Sequence, residues 1–166
     1  MPGKKRRKTK APTPVNNSSR VVAENRRARF NYELMEQIEA GLALSGTEIK
    51  SIRAGRVSLQ EAYAQEKAGQ IWLHKMHIAP WVGGGPWNHE PDRPRRLLLH
   101  KQQIMDLGLR AGQQGLTLMP MRVYIKGHLA KVELALARGR RRHDKRRVIQ
   151  QRETEREIAR ALRRER

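Results

Sequence analysis

The chain has 166 residues, with 36 Lys and Arg against 16 Asp and Glu, a formal net charge of +20 and a pI of about 11.4. A compact chain with that imbalance repels itself unless it meets a polyanion, so nucleic acid is the first partner class and an anionic membrane surface the second. The absence of cysteine removes disulfides, thiolate zinc sites and cysteine nucleophiles together and fits a reducing compartment, and there is no run of about 18 apolar residues to span a bilayer.

Residues 1–20 read as a disordered basic arm. The charge run Lys4-Lys5-Arg6-Arg7-Lys8-Thr9-Lys10 is followed by Pro12, Pro14, Asn16, Asn17, Ser18 and Ser19, a composition that cannot build a core. A nuclear localisation signal looks similar, but the basic arm of an RNA-binding protein is the favoured reading. Without an apolar stretch after the charges, no signal peptide is expected, and no lipidation motif is seen.

Residues 21–138 are expected to form one domain. From Tyr32 to Leu44, the spacing of Leu34, Ile38 and Leu42 suits a helix, while the even positions from Tyr32 suit a strand; Gly41 in mid-run favours the strand. Ser45 or Thr47 is placed to cap a short helix through Ile49, Ile52 and Arg53, ended by Gly55. Two strands follow, over 57–65 and 70–78, with Lys67-Ala68-Gly69 as the turn between them. Residues 81–95 read as a long, mobile Gly/Pro loop. Helical periodicity through Ile104, Leu107 and Leu109 predicts a helix over 100–111 with Gly112 as its stop.

The clearest hairpin joins 116–126 to 129–137. Alternation puts Met119, Met121, Val123 and Ile125 on one face, and Ala130, Val132, Leu134 and Leu136 on one face of the second strand. Several strands with few helices predict a mainly β fold: a small antiparallel OB-like barrel with flanking short helices.

Residues 139–166 form a basic C-terminal tail. Apolar alternation stops at Gly139, and Arg140-Arg141-Arg142-His143-Asp144-Lys145-Arg146-Arg147 follows. The tail has too few apolar side chains to repay its own ordering entropy, so it is expected to be disordered until a polyanion orders it. Asp144 is placed to cap a helix. Val148, Ile149, Ile158, Ala161 and Leu162 make a thin apolar stripe, and a helix from 144 to 166 would be about 35 Å long.

No constellation points to catalysis, a metal or a cofactor. His74 and His77 would project from opposite faces of a strand, and His89, Asp92 and His100 do not complete a ligand pattern. Gly83-Gly84-Gly85-Pro86 lacks the strand before and helix after that a phosphate cradle needs. The carboxylates are scattered: alternation places Glu33 and Glu39, but not Glu36, on one strand face, and no nucleophile order is present. Aromatics are few and none forms an RNP1-type strand. A domain of this kind that binds RNA would read shape, backbone and ribose hydroxyls, as on a structured RNA.

Taken together, the strings Glu24-Asn25-Arg26-Arg27-Ala28-Arg29, the run from Glu39 through Ser45-Gly46-Thr47-Glu48-Ile49-Lys50 to Gly55, Met76-His77-Ile78-Ala79-Pro80, Asn88-His89-Glu90-Pro91, Arg95-Arg96-Leu97-Leu98-Leu99-His100-Lys101, Lys131-Val132-Glu133-Leu134 and His143-Asp144-Lys145-Arg146 resemble the SsrA-binding protein (small protein B) family, in family order from about residue 21 onward. The resemblance implies a cytoplasmic RNA-binding adaptor of trans-translation, not an enzyme. In that family the protein binds the tRNA-like domain of transfer-messenger RNA, stands in for an anticodon arm and escorts the alanyl-charged RNA to the vacant A site of a stalled ribosome. A functional link to alanyl-tRNA synthetase and elongation factor Tu follows.

The resemblance assigns Asn25, Arg27, Glu39, Leu98 and Lys131 to RNA binding, and His143, Asp144, Lys145, Arg146 and Arg147 to a tail that senses the small-subunit decoding centre and empty mRNA channel. That tail is implied to be unstructured in solution and helical on the ribosome. Where the family tail often carries a Trp after its Arg-Glu pair, Arg152-Glu153 is followed here by Thr154, and the aliphatic pair near the end is reduced to Ala161-Leu162. The rival readings are a structural ribosomal protein with a basic extension and a metal-dependent RNA-processing enzyme.

Overall fold

The computed structural model describes residues 19–140 and 142–164, apart from the side chains of 142–148, 152 and 162–164. The basic arm therefore lies outside the described residues, except for Ser19 and Arg20. In chain order the elements are β1 (Ser19–Glu24), α1 (Arg26–Asn31), β2 (Tyr32–Leu42), α2 (Gly46–Arg53), β3 (Val57–Ser58), β4 (Tyr63–Lys67), β5 (Gln70–His74), β6 (His77–Ile78), a 3-10 turn (Gly85–Trp87), β7 (Arg95–Leu98), α3 (Lys101–Gln114), β8 (Thr117–Lys126), β9 (Leu129–Gly139) and α4 (Arg142–Arg164).

The large sheet runs β1-β8-β4-β5-β7-β2-β9, and β9 pairs back onto β8. All of its pairings are antiparallel. Six strands thus close into the small barrel expected, and β1 lies along the same edge of β8 that reaches β4. Closure removes the long unpaired edges that an open sheet would expose. The interior is filled by Ile71, Leu73, Leu97, Val123, Val132 and Leu134, all nearly inaccessible to solvent, with Ile104 and Leu107 of α3 and Ile52 of α2 plugging the ends.

Two β-bulges change the face assignments that strict alternation predicts. Met119 opposes Ala135 while Val123 opposes Val132, with the register shift between Pro120 and Arg122. An odd step on β9 means opposite faces. Met119 and Met121 therefore leave the barrel interior and join Ala28, Ala135 and Ala137 in a second apolar cluster, while Val123 and Ile125 stay with the interior. The same happens on β2: Glu33 opposes Arg138 and Glu39 opposes Glu133, with a shift between Leu34 and Glu36, so Glu33 and Glu39 do not share a face.

The second cluster is roofed by α1, whose only buried residue is Ala28. Two Arg-rich turns gave no periodic signal for this helix. The strands expected over 57–65 and 70–78 each break in two. Non-glycine residues at positive φ mark the breaks, Glu61 at 62° and Lys75 at 55°, conformations that end a pleated strand. α3 runs past Gly112 to Gly115, whose φ of 60° supplies the left-handed cap that stops the helix.

Tail residues 142–164 are helical in the structure, and every described side chain of α4 is exposed, including Ile149 and Ile158. No helix among the described residues is long and apolar enough to cross a membrane.

Candidate RNA interface

Four adjacent strands carry one row of residues on the outside of the barrel. Lys131 of β9 opposes Tyr124 of β8 on one side and Gly41 of β2 on the other, and Gly41 opposes Leu98 of β7. Glu39 lies two residues from Gly41 on the same strand face and opposes Glu133. Three of the residues expected to touch RNA, Glu39, Leu98 and Lys131, thus come from three different strands onto one surface. Leu98 is half exposed. Gly41 gives Leu98 room: a Cβ on it would sit 3.2 Å from Leu98 Cβ, tighter than neighbouring side chains normally pack.

Glu39 is the centre of this surface. It accepts hydrogen bonds from Lys131 Nζ on Oε1 and from the Tyr124 hydroxyl on Oε2. Partial burial works to raise its pKa, but these two bonds and the nearby charges of Lys131 and Lys126 outweigh it and hold the carboxylate below its ordinary value. Burial and the bond to Glu39 push the Tyr124 phenol well above its usual value, so it remains a donor. Arg122 extends the row. Its Nε donates to Glu133 Oε2 at 2.7 Å, and its guanidinium lies 6.0 Å from the Tyr124 ring centroid. Chemically this is a fixed set of donors around two carboxylates, Glu39 and Glu133, flanked by a half-exposed leucine: suited to phosphate, ribose hydroxyls and the apolar edge of a nucleotide. Arg122 and Tyr124 alternate with Val123 and Ile125 and face outward as a period of two predicts, but nothing in their own residue types singled them out as part of a site.

Asn25 and Arg27 sit elsewhere. Asn25 is buried and caps α1, accepting from Ala28 N at 3.0 Å and donating to the Leu59 carbonyl at 3.2 Å. It fixes the helix that displays exposed Arg27. His143, Asp144, Lys145, Arg146 and Arg147 have their backbone in the first turns of α4, and their side chains lie outside the described residues. The Arg140 amide donates to the Asn31 carbonyl at 2.9 Å, tying the start of the tail to the end of α1.

A buried ionic network was not foreseen. Glu48 of α2 is fully buried and accepts from Arg95 Nε at 2.8 Å, from Arg93 Nε at 2.8 Å and Nη2 at 2.5 Å, and from the Ser45 amide at 2.7 Å. Arg95, also fully buried, further donates to the carbonyls of Met76 and Pro91. This network pins the 79–94 segment and the start of β7, and so sets where Leu98 emerges. Among the described residues, no group of three or more His, Asp or Glu is placed to hold a metal ion. His77 bonds Asp92, and His74 stacks on Tyr63.

The SmpB protein family matches residues 22–164. SsrA-binding protein of Carboxydothermus hydrogenoformans is 49% identical over 144 residues, covering 87% of this chain and 97% of that protein. SsrA-binding proteins of Desulforudis audaxviator and Thermobifida fusca are 51% and 50% identical, covering 87% and 89% of this chain and 94% and 92% of theirs. A solved structure described as "tmRNA-SmpB: a journey to the center of the bacterial ribosome" superposes with a TM-score of 0.62 at 45% identity, covering 76% of this chain and 92% of that one. Sequence and barrel architecture agree: the chain belongs to the SmpB family of SsrA-binding proteins.

Proposed function

We propose that this protein is the RNA-binding adaptor of trans-translation: it binds the tRNA-like domain of transfer-messenger RNA and delivers it to the vacant A site of stalled ribosomes in the cytoplasm. It acts by binding and positioning, with no catalytic step, in functional link with alanyl-tRNA synthetase and elongation factor Tu. The observation that carries this reading is the outer row in which Glu39, Lys131, Tyr124 and Leu98 converge from four strands. Lys131 supplies the phosphate contact, Glu39 orients Lys131 and accepts from a base amino or ribose hydroxyl, and Leu98 packs on the sugar edge. Arg27, held by the Asn25 cap, supplies a further cation.

One strand links this surface to the tail. β9 carries Lys131 and ends at Gly139, from which α4 departs. At about 3.3 Å per residue, the lysine and the tail exit lie on the order of 26 Å apart along one strand. RNA held at one end and a channel probed at the other are thereby kept at fixed separation. The tail, with His143 to Arg147 at its base, enters the empty mRNA channel and is helical there.

Truncation after Gly139 tests this division of labour. The shortened protein should bind transfer-messenger RNA as the full chain does, yet support no peptide tagging on stalled ribosomes. Tagging that survives the truncation would reduce the tail to a solvated basic extension.

A further inference from the structure

The segment between β6 and β7 presents Trp87 to solvent with 88% of its surface exposed, although this indole sits on a tightly built support. Asn88 Oδ1 accepts from the amides of Trp81 at 3.0 Å and His89 at 3.2 Å, while Nδ2 donates to the Trp81 carbonyl at 2.7 Å. A Cβ on Gly84 would fall 2.6 Å from that Nδ2, so glycine is what lets the turn close over Asn88. The His89 ring is fixed on both sides. Its Nε2–H donates to the Ile78 carbonyl at 3.1 Å, and Nδ1 accepts from the Thr47 hydroxyl at 2.9 Å. Arg93 is clamped to buried Glu48.

Beside the indole lies a shallow cleft of about 480 Å³ bounded by Thr47, Lys50, Asn88, His89 and Arg93. Lys50 is exposed, and no ion pair ties it among the described residues. None of these residues belongs to the Glu39–Lys131–Tyr124 row.

We propose that this cleft is a second RNA-binding site, which takes an unpaired nucleotide: its base stacks on Trp87 and its phosphate meets Lys50. An exposed aromatic face on a braced backbone turn, beside a cation with no ion pair among the described residues, is the arrangement that captures single-stranded bases, because every base has a π-face and the phosphate that follows it needs a counter-charge. An acidic protein segment would find the cation here but no use for an indole projecting beyond the cleft. This inference rests on the reading of the chain as an RNA-binding adaptor. The unpaired nucleotide comes either from transfer-messenger RNA or from ribosomal RNA.

The test is equilibrium binding of full-length wild type, Trp87→Ala, Trp87→Phe, Lys50→Ala and Lys131→Ala to two targets, the isolated tRNA-like domain and vacant ribosomes, with bulk tRNA as the reference for wild type and thermal melting of each variant as a control. In the arm that supplies the nucleotide, Trp87→Ala should weaken binding by roughly five- to 150-fold, the range for one stacked base. Trp87→Phe should retain most of the affinity, and Lys50→Ala should lower the salt slope by about one. The melting temperatures should match wild type. Trp87→Ala binding both targets within about twofold of wild type would overturn the proposal, as would equal losses for Ala and Phe. Loss with Lys131→Ala beside an unaffected Trp87→Ala would sink only this second site, whereas failure of wild type to prefer the tRNA-like domain over bulk tRNA would sink the adaptor reading itself.

Discussion

Two ionic clusters in this molecule look alike on paper and should behave differently. Lys131 and Glu39 keep 24% and 37% of their side-chain surface exposed, so their pairing contributes only about 0–1 kcal/mol to folding, and its value is in orienting the lysine. Glu48 and Arg95 are fully inaccessible, and removing one partner strands a buried charge at a cost of about 3–5 kcal/mol. Glu48→Ala should therefore lower unfolding free energy in urea by that order, while Lys131→Ala should leave it nearly unchanged. Burial opposes the Glu48 charge, but the bonds from Arg93, the Ser45 amide and Arg95 prevail and hold its pKa below the ordinary 4.5. A carboxylate with a depressed folded pKa contributes stability that is fully present above the unfolded value and lost as pH falls through the folded one. Wild-type stability should accordingly drop in acid below about pH 4.5, and Glu48→Ala should blunt that drop; a parallel pH profile for the two proteins would remove Glu48 from this role.

At the scale of elements, legibility followed periodicity. The hairpin of β8 and β9, the strand with Gly41 in mid-run and the capped helix α2 all carry alternation or capping signals in their own residues. α1 carries none, because four polar or charged residues surround its single buried alanine. Its existence depends on the Asn25 cap and on the Met119–Met121 cluster that it covers. The bulges on β2 and β8 are equally silent locally, yet they decide that Glu33 leaves the face of Glu39 and that Met119 and Met121 leave the barrel interior. Arg95 reads as one more cation in a basic string; only its bond to Glu48 of α2 makes it a buried residue.

Beyond its first turns, the described part of α4 is held by its own local contacts. Thr154 bonds back to the Gln150 carbonyl at 3.0 Å, and Gln151 reaches Glu155 at 3.4 Å, contacts that add at most a few tenths of a kcal/mol. Its described side chains, from Ile149 onward, are exposed and lack the packing that sustains most protein helices. A peptide of residues 138–166 should show little helix by circular dichroism in dilute buffer. A strongly helical spectrum there would contradict the proposal that the tail folds when RNA surrounds it.

On the scale of the whole molecule, the proposed function makes the barrel a spacer between the outer row and the tail. Closure through β8, β9 and β2 makes the Tyr124–Lys131–Gly41–Leu98 row rigid, and β9 carries that rigidity to the tail. The net charge of +20 draws any polyanion, so charge alone cannot give selectivity; the proposed function assigns selectivity to the geometry of the row. Titration of full-length protein with the tRNA-like domain of transfer-messenger RNA and with bulk tRNA, at physiological salt, separates the two contributions. The account predicts far tighter binding to the tRNA-like domain, and for Lys131→Ala a selective loss of that preference with bulk-tRNA binding little changed. Equal affinity of the wild-type protein for both RNAs would contradict it.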